Sequence, residues 1–230
     1  MIITVGGIKG GTGKTTVATN FACIAAGQGS KVLLVDADDQ KTASDFTSAR
    51  NQDHPDASSY TCIRLTGKNV RSELMKIERD YDHIIIDTGG RDTTSQRAAL
   101  SLADILLIPF SPRSFDIWTM DQVAQLVDEM SAANDRLQAL AFLNNTDPAG
   151  KGTENEDAAE MLKDNKSLNF IEAPLGRRKA YSHAATAGLA VTELLRPARN
   201  QQAIDEIMTL FRYCFDVTEI SEKRHKEAVS

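Results

Sequence analysis

The stretch Lys9-Gly10-Gly11-Thr12-Gly13-Lys14-Thr15-Thr16 limits what this chain can fold into more than any other segment. The run before it, Ile2-Ile3-Thr4-Val5, is apolar and β-branched, and the run after it, Val17 to Ala26, is a good helix former. The glycines therefore sit in a strand-to-helix turn, the context that a phosphate loop requires. Glycine lets backbone N–H groups approach and encircle a β-phosphate, and a helix starting near Gly13 adds the partial positive charge of its N-terminus. Lys14 is placed to reach the β- and γ-phosphates, and Thr15 to ligate Mg²⁺ through its hydroxyl. The expected ligand is MgATP, with Lys9 through Thr16 forming its phosphate cradle.

The rest of the chain narrows the class. With 41% hydrophobic and 25% charged residues in 230, it has an ordinary soluble composition, long enough to bury one large core. The cysteines, Cys23, Cys62 and Cys214, are odd in number and far apart, with no spacing suited to zinc, an iron–sulfur cluster or a disulfide framework. A reducing cytoplasm is the expected compartment. No early segment reads as a signal peptide, and no apolar run approaches the roughly 18 residues needed to cross a bilayer. A net charge of −6 confines any polyanion contact to local clusters of Lys and Arg.

Short apolar runs recur at 2–6, 32–36, 83–87, 105–109 and 139–143, separated by stretches able to form helix. They do not alternate polar and apolar, as expected of strands covered on both faces. The expectation is a single α/β domain over 1–216, a P-loop fold with a mostly parallel central sheet and helices on both faces, followed by a polar, frayed tail at 217–230. Helical periodicity appears at Val70, Leu74, Ile77 and Tyr81; at Ile117, Met120, Ala124 and Val127, with Asp116 as N-cap; and at Ile204, Ile207, Met208, Phe211 and Phe215. Loops are expected at 51–59 and 146–152.

In open parallel sheets, ligands bind beyond the carboxyl ends of the strands. Two apolar runs end in carboxylates, Asp36-Ala37-Asp38-Asp39-Gln40 and Asp87-Thr88-Gly89-Gly90, and a third ends in Asn144-Asn145. An amide offers both a donor and an acceptor and can equally form a turn.

The ordinary phosphate-loop pattern asks for a glycine where Ile8 stands, and a second lysine, Lys9, sits at the mouth of the loop. Lysines at both ends resemble the deviant Walker A motif of the ParA/MinD family of ATPases. The likeness extends from Met1 to about Phe215. It implies that Lys9 reaches across a nucleotide-bound homodimer to the partner's phosphates and that Asp38 positions the attacking water. It also implies that Asp36 lies close to the metal, that Asp87 holds Mg²⁺ through its water shell, that Gly90 offers its N–H to the γ-phosphate, and that one of Asn144 and Asn145 meets the adenine edge. The family often has prolines where Gly89 and Gly90 stand, and this glycine pair leaves the switch backbone little restricted. Asp39 likewise replaces a usual proline.

Between Ala173 and Arg199, five cations (Arg177, Arg178, Lys179, Arg196 and Arg199) face one acid, Glu193. This is the best nucleic-acid candidate in the chain, with a solvated helix start as the competing reading of Arg177 to Lys179. ParA-like relatives bind nonspecific DNA as ATP dimers through basic residues in this part of the chain and are released when a ParB-like or other small adaptor stimulates hydrolysis. The chain leaves no room for a DNA-reading domain before Ile2, which suggests the short ParA type, associated with the nucleoid when ATP-bound. MinD-like relatives, the alternative, end in a basic amphipathic helix on the membrane. Here Phe211 and Phe215 have few cations around them, so a core-packed helix and no membrane contact are expected.

Overall fold

A computed structural model of the protein describes residues 1–91, 93–112, 119–147 and 153–229, with side chains described as far as Phe215. The five apolar runs all form strands: β1 (Ile2–Val5), β2 (Val32–Ala37), β4 (His83–Thr88), β5 (Ile105–Phe110) and β6 (Gln138–Thr146). Three more strands carry little sequence signal. β3 (Thr61–Arg64) is a mixed polar strand at the sheet edge, and β7 (Asn169–Phe170) and β8 (Leu175–Gly176) have two residues each, too few to show a period. The strand order is β3-β2-β4-β1-β5-β6-β7, with β8 also beside β6, and every described pair is parallel.

The connections are α1 (Lys14–Gly27), α2 (Thr42–Asp53), α3 (Asn69–Ile77), α4 (Thr94–Leu100), α5 (Met120–Ser131), α6 (Glu154–Asp164) and α7 (Lys179–Thr186), with α8 (Gln201–Val229) last. Because successive strand side chains point to opposite faces, neighbouring residues of one strand enter different cores. Ile3, Val5, Leu34, Ile85 and Phe142 pack with Val17 and Phe21 of α1 and Ile207 and Phe211 of α8. Ile2, Leu33, Val35, Ile84 and Ile86 pack with Leu74, Leu100, Val127 and Leu162 from the helices of the other face. Each such side chain contributes about 1.5 to 3 kcal/mol when fully buried, enough to hold the sheet rigid beneath the loops it carries. The expected two-faced α/β architecture is the one observed.

Local boundaries differ in places. Helix α2 continues through Asp53 into the segment expected to be loop, anchored by Arg50, which is 2% exposed. Helix α3 stops at Ile77, and a 3₁₀ turn at Glu78–Asp80 intervenes before Tyr81. Asp116 and Ile117 lie outside the described residues, as does 148–152 of the expected loop. The last helix does not fray at 217: its backbone stays helical to Val229. The sequence there sets Glu219 four residues before Lys223 and Glu222 four before Lys226, a spacing that supports helix.

Candidate nucleotide site

β1 lies between β4 and β5, so the loop that follows it opens where connections to the two halves of the sheet diverge, the usual place for a ligand. Gly13 ends the loop at φ 92°, a left-handed conformation, and any Cβ there would collide with Asn144 Nδ2. Asn144 in turn donates from Nδ2 to Thr12 O at 2.6 Å, tying the loop to the end of β6. No side chain caps α1, so the first-turn N–H groups at Lys14, Thr15 and Thr16 are available to an anion. Lys14 is 6% exposed and donates from Nζ to Lys9 O at 2.7 Å. Burial lowers its pKa, opposed by the nearby carboxylates of Asp87 and Asp38.

The carboxylates come from neighbouring strand ends, with Asp36 of β2 and Asp87 of β4 directly in register. Asp36 is fully buried and accepts from Asp38 N at 3.2 Å and Ser44 N at 2.8 Å, so it builds the loop and holds the first turn of α2. Asp38 is half-buried, faces the cleft, and accepts from Gln40 N at 3.1 Å. Asp87 is fully buried, and neither of its oxygens accepts a hydrogen bond of ordinary length. Burial pushes its carboxyl up to about 7; Thr15 and Lys14 oppose that shift, and Asp36 and Asp38 add to it.

Between about pH 4 and pH 7 the folded carboxyl of Asp87 therefore holds a proton that the unfolded chain has released, so this group makes the protein less stable as pH rises through that window. Asp87→Asn removes the penalty. Thermal melts of the nucleotide-free variant should show a midpoint at pH 8 higher by on the order of 5 °C, with less pH dependence from 4 to 7. A midpoint at or below the wild-type value would refute the account.

Lys14, Thr15, Thr16, Gly10, Gly11, Gly13 and Asp38 line a cleft of about 740 Å³. Among the described residues no three His, Cys, Asp or Glu side chains could hold a metal ion alone. The residues nevertheless fit Mg²⁺, which keeps several waters and binds through one or two carboxylates plus phosphate oxygens. A fully buried acid beside a threonine hydroxyl is such a donor set.

The segment after Asp87 packs closely on the loop. A Cβ on Gly90 would lie 2.5 Å from Gly10 N and 2.6 Å from Gly10 Cα, so here glycine is required for close approach as well as for freedom. Arg91 and Thr93 line the same cleft and escaped the sequence reading. The one available signal was a cation directly after a Gly-Gly pair at a strand end.

On the other side of Gly13 a second cleft, of about 830 Å³, is lined by Asn144, Asn145, Leu175, Tyr181 and the Arg177–Lys179 segment. Asn145 adopts φ 57°. The five cations differ in availability. Arg178 is held by Glu206, with Nε 3.0 Å from Oε2 and Nη2 2.5 Å from Oε1, whereas Arg177, Lys179, Arg196 and Arg199 are exposed.

Residues 3–191 match the family described as CobQ/CobB/MinD/ParA nucleotide binding domain. The Halothiobacillus neapolitanus maintenance of carboxysome distribution protein A is 27% identical over 207 residues, 89% of this chain and 92% of that protein. Protein ParA of Rhizobium radiobacter is 28% identical over 183 residues, 79% of this chain and 80% of that one. The solved apo structure of Cyanothece McdA superposes with TM-score 0.72 at 18% identity, over 90% of this chain and 99% of the other. A glycine loop after β1, carboxylates in register on the adjacent strands β2 and β4, and a match across most of the sequence agree: the chain belongs to the ParA/MinD family of nucleotide-binding domains.

Proposed function

We propose that the chain is an ATPase that forms a homodimer around two MgATP molecules, binds DNA nonspecifically in that state, and is released when a small adaptor protein stimulates hydrolysis. The reading rests above all on Asp87, a fully buried carboxylate set beside the Thr15 hydroxyl and the Lys14 ammonium at an uncapped helix start. In the proposal Lys14 and the loop amides from Gly10 to Thr16 hold the β- and γ-phosphates, and Thr15 and Asp87 hold Mg²⁺. Asp36 acts on the metal only through water, since its oxygens already accept two backbone N–H groups. The bound metal would offset phosphate charge.

Asp38 orients the attacking water, Gly90 offers its N–H to the γ-phosphate, and Lys9 reaches the partner's nucleotide. Asn145 is the better candidate for the adenine edge, because Asn144 is engaged with Thr12. Arg177, Lys179, Arg196 and Arg199 are the DNA candidates, and the pairing of Arg178 with Glu206 argues for a structural role there. Cargo would be a plasmid, a chromosomal origin or a protein assembly, and the setting a nucleoid-bearing cytoplasm. Among the described residues no helix is long and apolar enough to cross a membrane. The apolar face of α8 is occupied as far as Phe211, which is 3% exposed and meets Phe21 edge-to-face at 5.2 Å between ring centres, so the membrane-bound alternative is disfavoured.

Asp38→Ala should leave ATP bound but unhydrolysed, trapping the dimer and, with it, DNA binding. Gel shifts with ATP, with ADP and without nucleotide, run beside liposome sedimentation, read this out. Normal turnover after the change removes Asp38 from the mechanism, and ATP-dependent sedimentation without any DNA shift would favour the membrane reading.

A further inference from the structure

Arg91 is a cation the family resemblance does not account for, and its position is built rather than incidental. The segment carrying it is held at both ends to the strand that feeds the phosphate loop. At its start, Thr88 Oγ1 donates to Val5 O at 3.1 Å. Beyond it, the fully buried Gln96 accepts from Gly7 N at 3.3 Å through Oε1 and from Thr88 Oγ1 at 3.0 Å. Thr93 caps α4 by accepting from Gln96 N at 3.1 Å. Between these ties, Gly90 rests on Gly10 so closely that no side chain fits between them.

The residue after Gly90, Arg91, therefore lines the phosphate cleft together with Lys14 and Asp38. It is exposed and, among the described residues, makes no ion pair or side-chain hydrogen bond. Asp38 and Asp39 are the described acids in the same cleft. A guanidinium presents a planar fork that matches phosphate oxygens two at a time, which an ammonium cannot do.

We propose that Arg91 is a catalytic residue acting in cis, its guanidinium contacting the terminal phosphate of the nucleotide held by its own chain and stabilising the charge that develops there during hydrolysis. The inference rests on the ATPase reading above.

The test uses the purified full chain, its R91A and R91K variants, ATP, a non-hydrolysable ATP analogue and ADP. Single-turnover hydrolysis should fall by about 100-fold in R91A, the range seen when one preorganised donor to developing charge is removed. ADP affinity should be unchanged, R91K should recover only part of the rate, and added guanidinium ion should partly rescue R91A. An R91A rate within about twofold of wild type, or a parallel loss of ADP affinity and rate, overturns the assignment. If wild type binds ATP yet turns over too slowly to follow, the preference for the analogue over ADP is the readout: its loss in R91A supports the contact, and its retention refutes it. Failure of the wild-type chain to bind any adenosine nucleotide would overturn the ATPase reading itself.

Discussion

Lys14→Ala is expected to abolish nucleotide binding while leaving the fold intact. Lys14 is 6% exposed, lines the phosphate cleft and already donates from Nζ to Lys9 O at 2.7 Å, so its ammonium is positioned before any ligand arrives. Charge-assisted hydrogen bonds contribute about 1.5 to 3 kcal/mol each, and a lysine bridging two phosphates makes two of them, so their loss lowers affinity by about 100-fold or more. Stability should change far less. Deleting the side chain removes a buried charge whose desolvation is unfavourable, along with its attraction to Asp87 and Asp38, and these effects oppose each other. Titration calorimetry with ATP, beside a thermal melt of the nucleotide-free protein, separates the two. Retained ATP binding, or a collapse of the melt, would contradict this picture.

The second large effect concerns stability alone. Arg50 of α2 is 2% exposed and faces Glu193, with Nη2 2.6 Å from Oε1 and Nη1 2.7 Å from Oε2. The same guanidinium donates to Gly188 O at 3.2 Å and Ser58 O at 3.1 Å, while Glu193 also accepts from Ala190 N at 2.7 Å. Gly188, at φ 65°, lies so close to α2 that a Cβ there would be 2.8 Å from Arg50 N. Arg50→Ala strips the carboxylate of its partner and leaves buried carbonyls unsatisfied, for which about 3 to 5 kcal/mol of destabilisation is expected in urea unfolding. Replacing both partners, Arg50→Met with Glu193→Leu, should restore much of that loss, because no uncompensated charge then remains. An Arg50→Ala variant within about 1 kcal/mol of wild type would show the pair to be dispensable.

These two sites differ in how far the sequence announces them. The phosphate loop is legible because its information is local: glycines, a lysine and a threonine within eight residues, between a β-branched run and a helix former. The strand-end positions of Asp36 and Asp87 are legible for the same reason, since a polar residue closing an apolar run marks where a strand meets solvent or ligand. Arg50 and Glu193 are 143 residues apart and invite the wrong reading when taken singly, one as the edge of a loop and the other as the lone acid of a basic patch. The basic patch itself is only partly what its composition implies, because Glu206, 28 residues from Arg178, has already claimed one of its cations.

Periodicity and loop chemistry alone determined that this chain forms a two-faced, parallel α/β fold with a phosphate-binding turn after its first strand, since both depend on residues near one another along the backbone. Only the tertiary structure decided that Asp87 is buried beside Thr15 and Lys14, that Asn144 braces the loop, that Gly90 rests on Gly10 and that Arg91 lines the cleft. Each of these follows from strand order, which brings the ends of β1, β4 and β6 together across gaps of some 80 to 140 residues where no local pattern can register the contact.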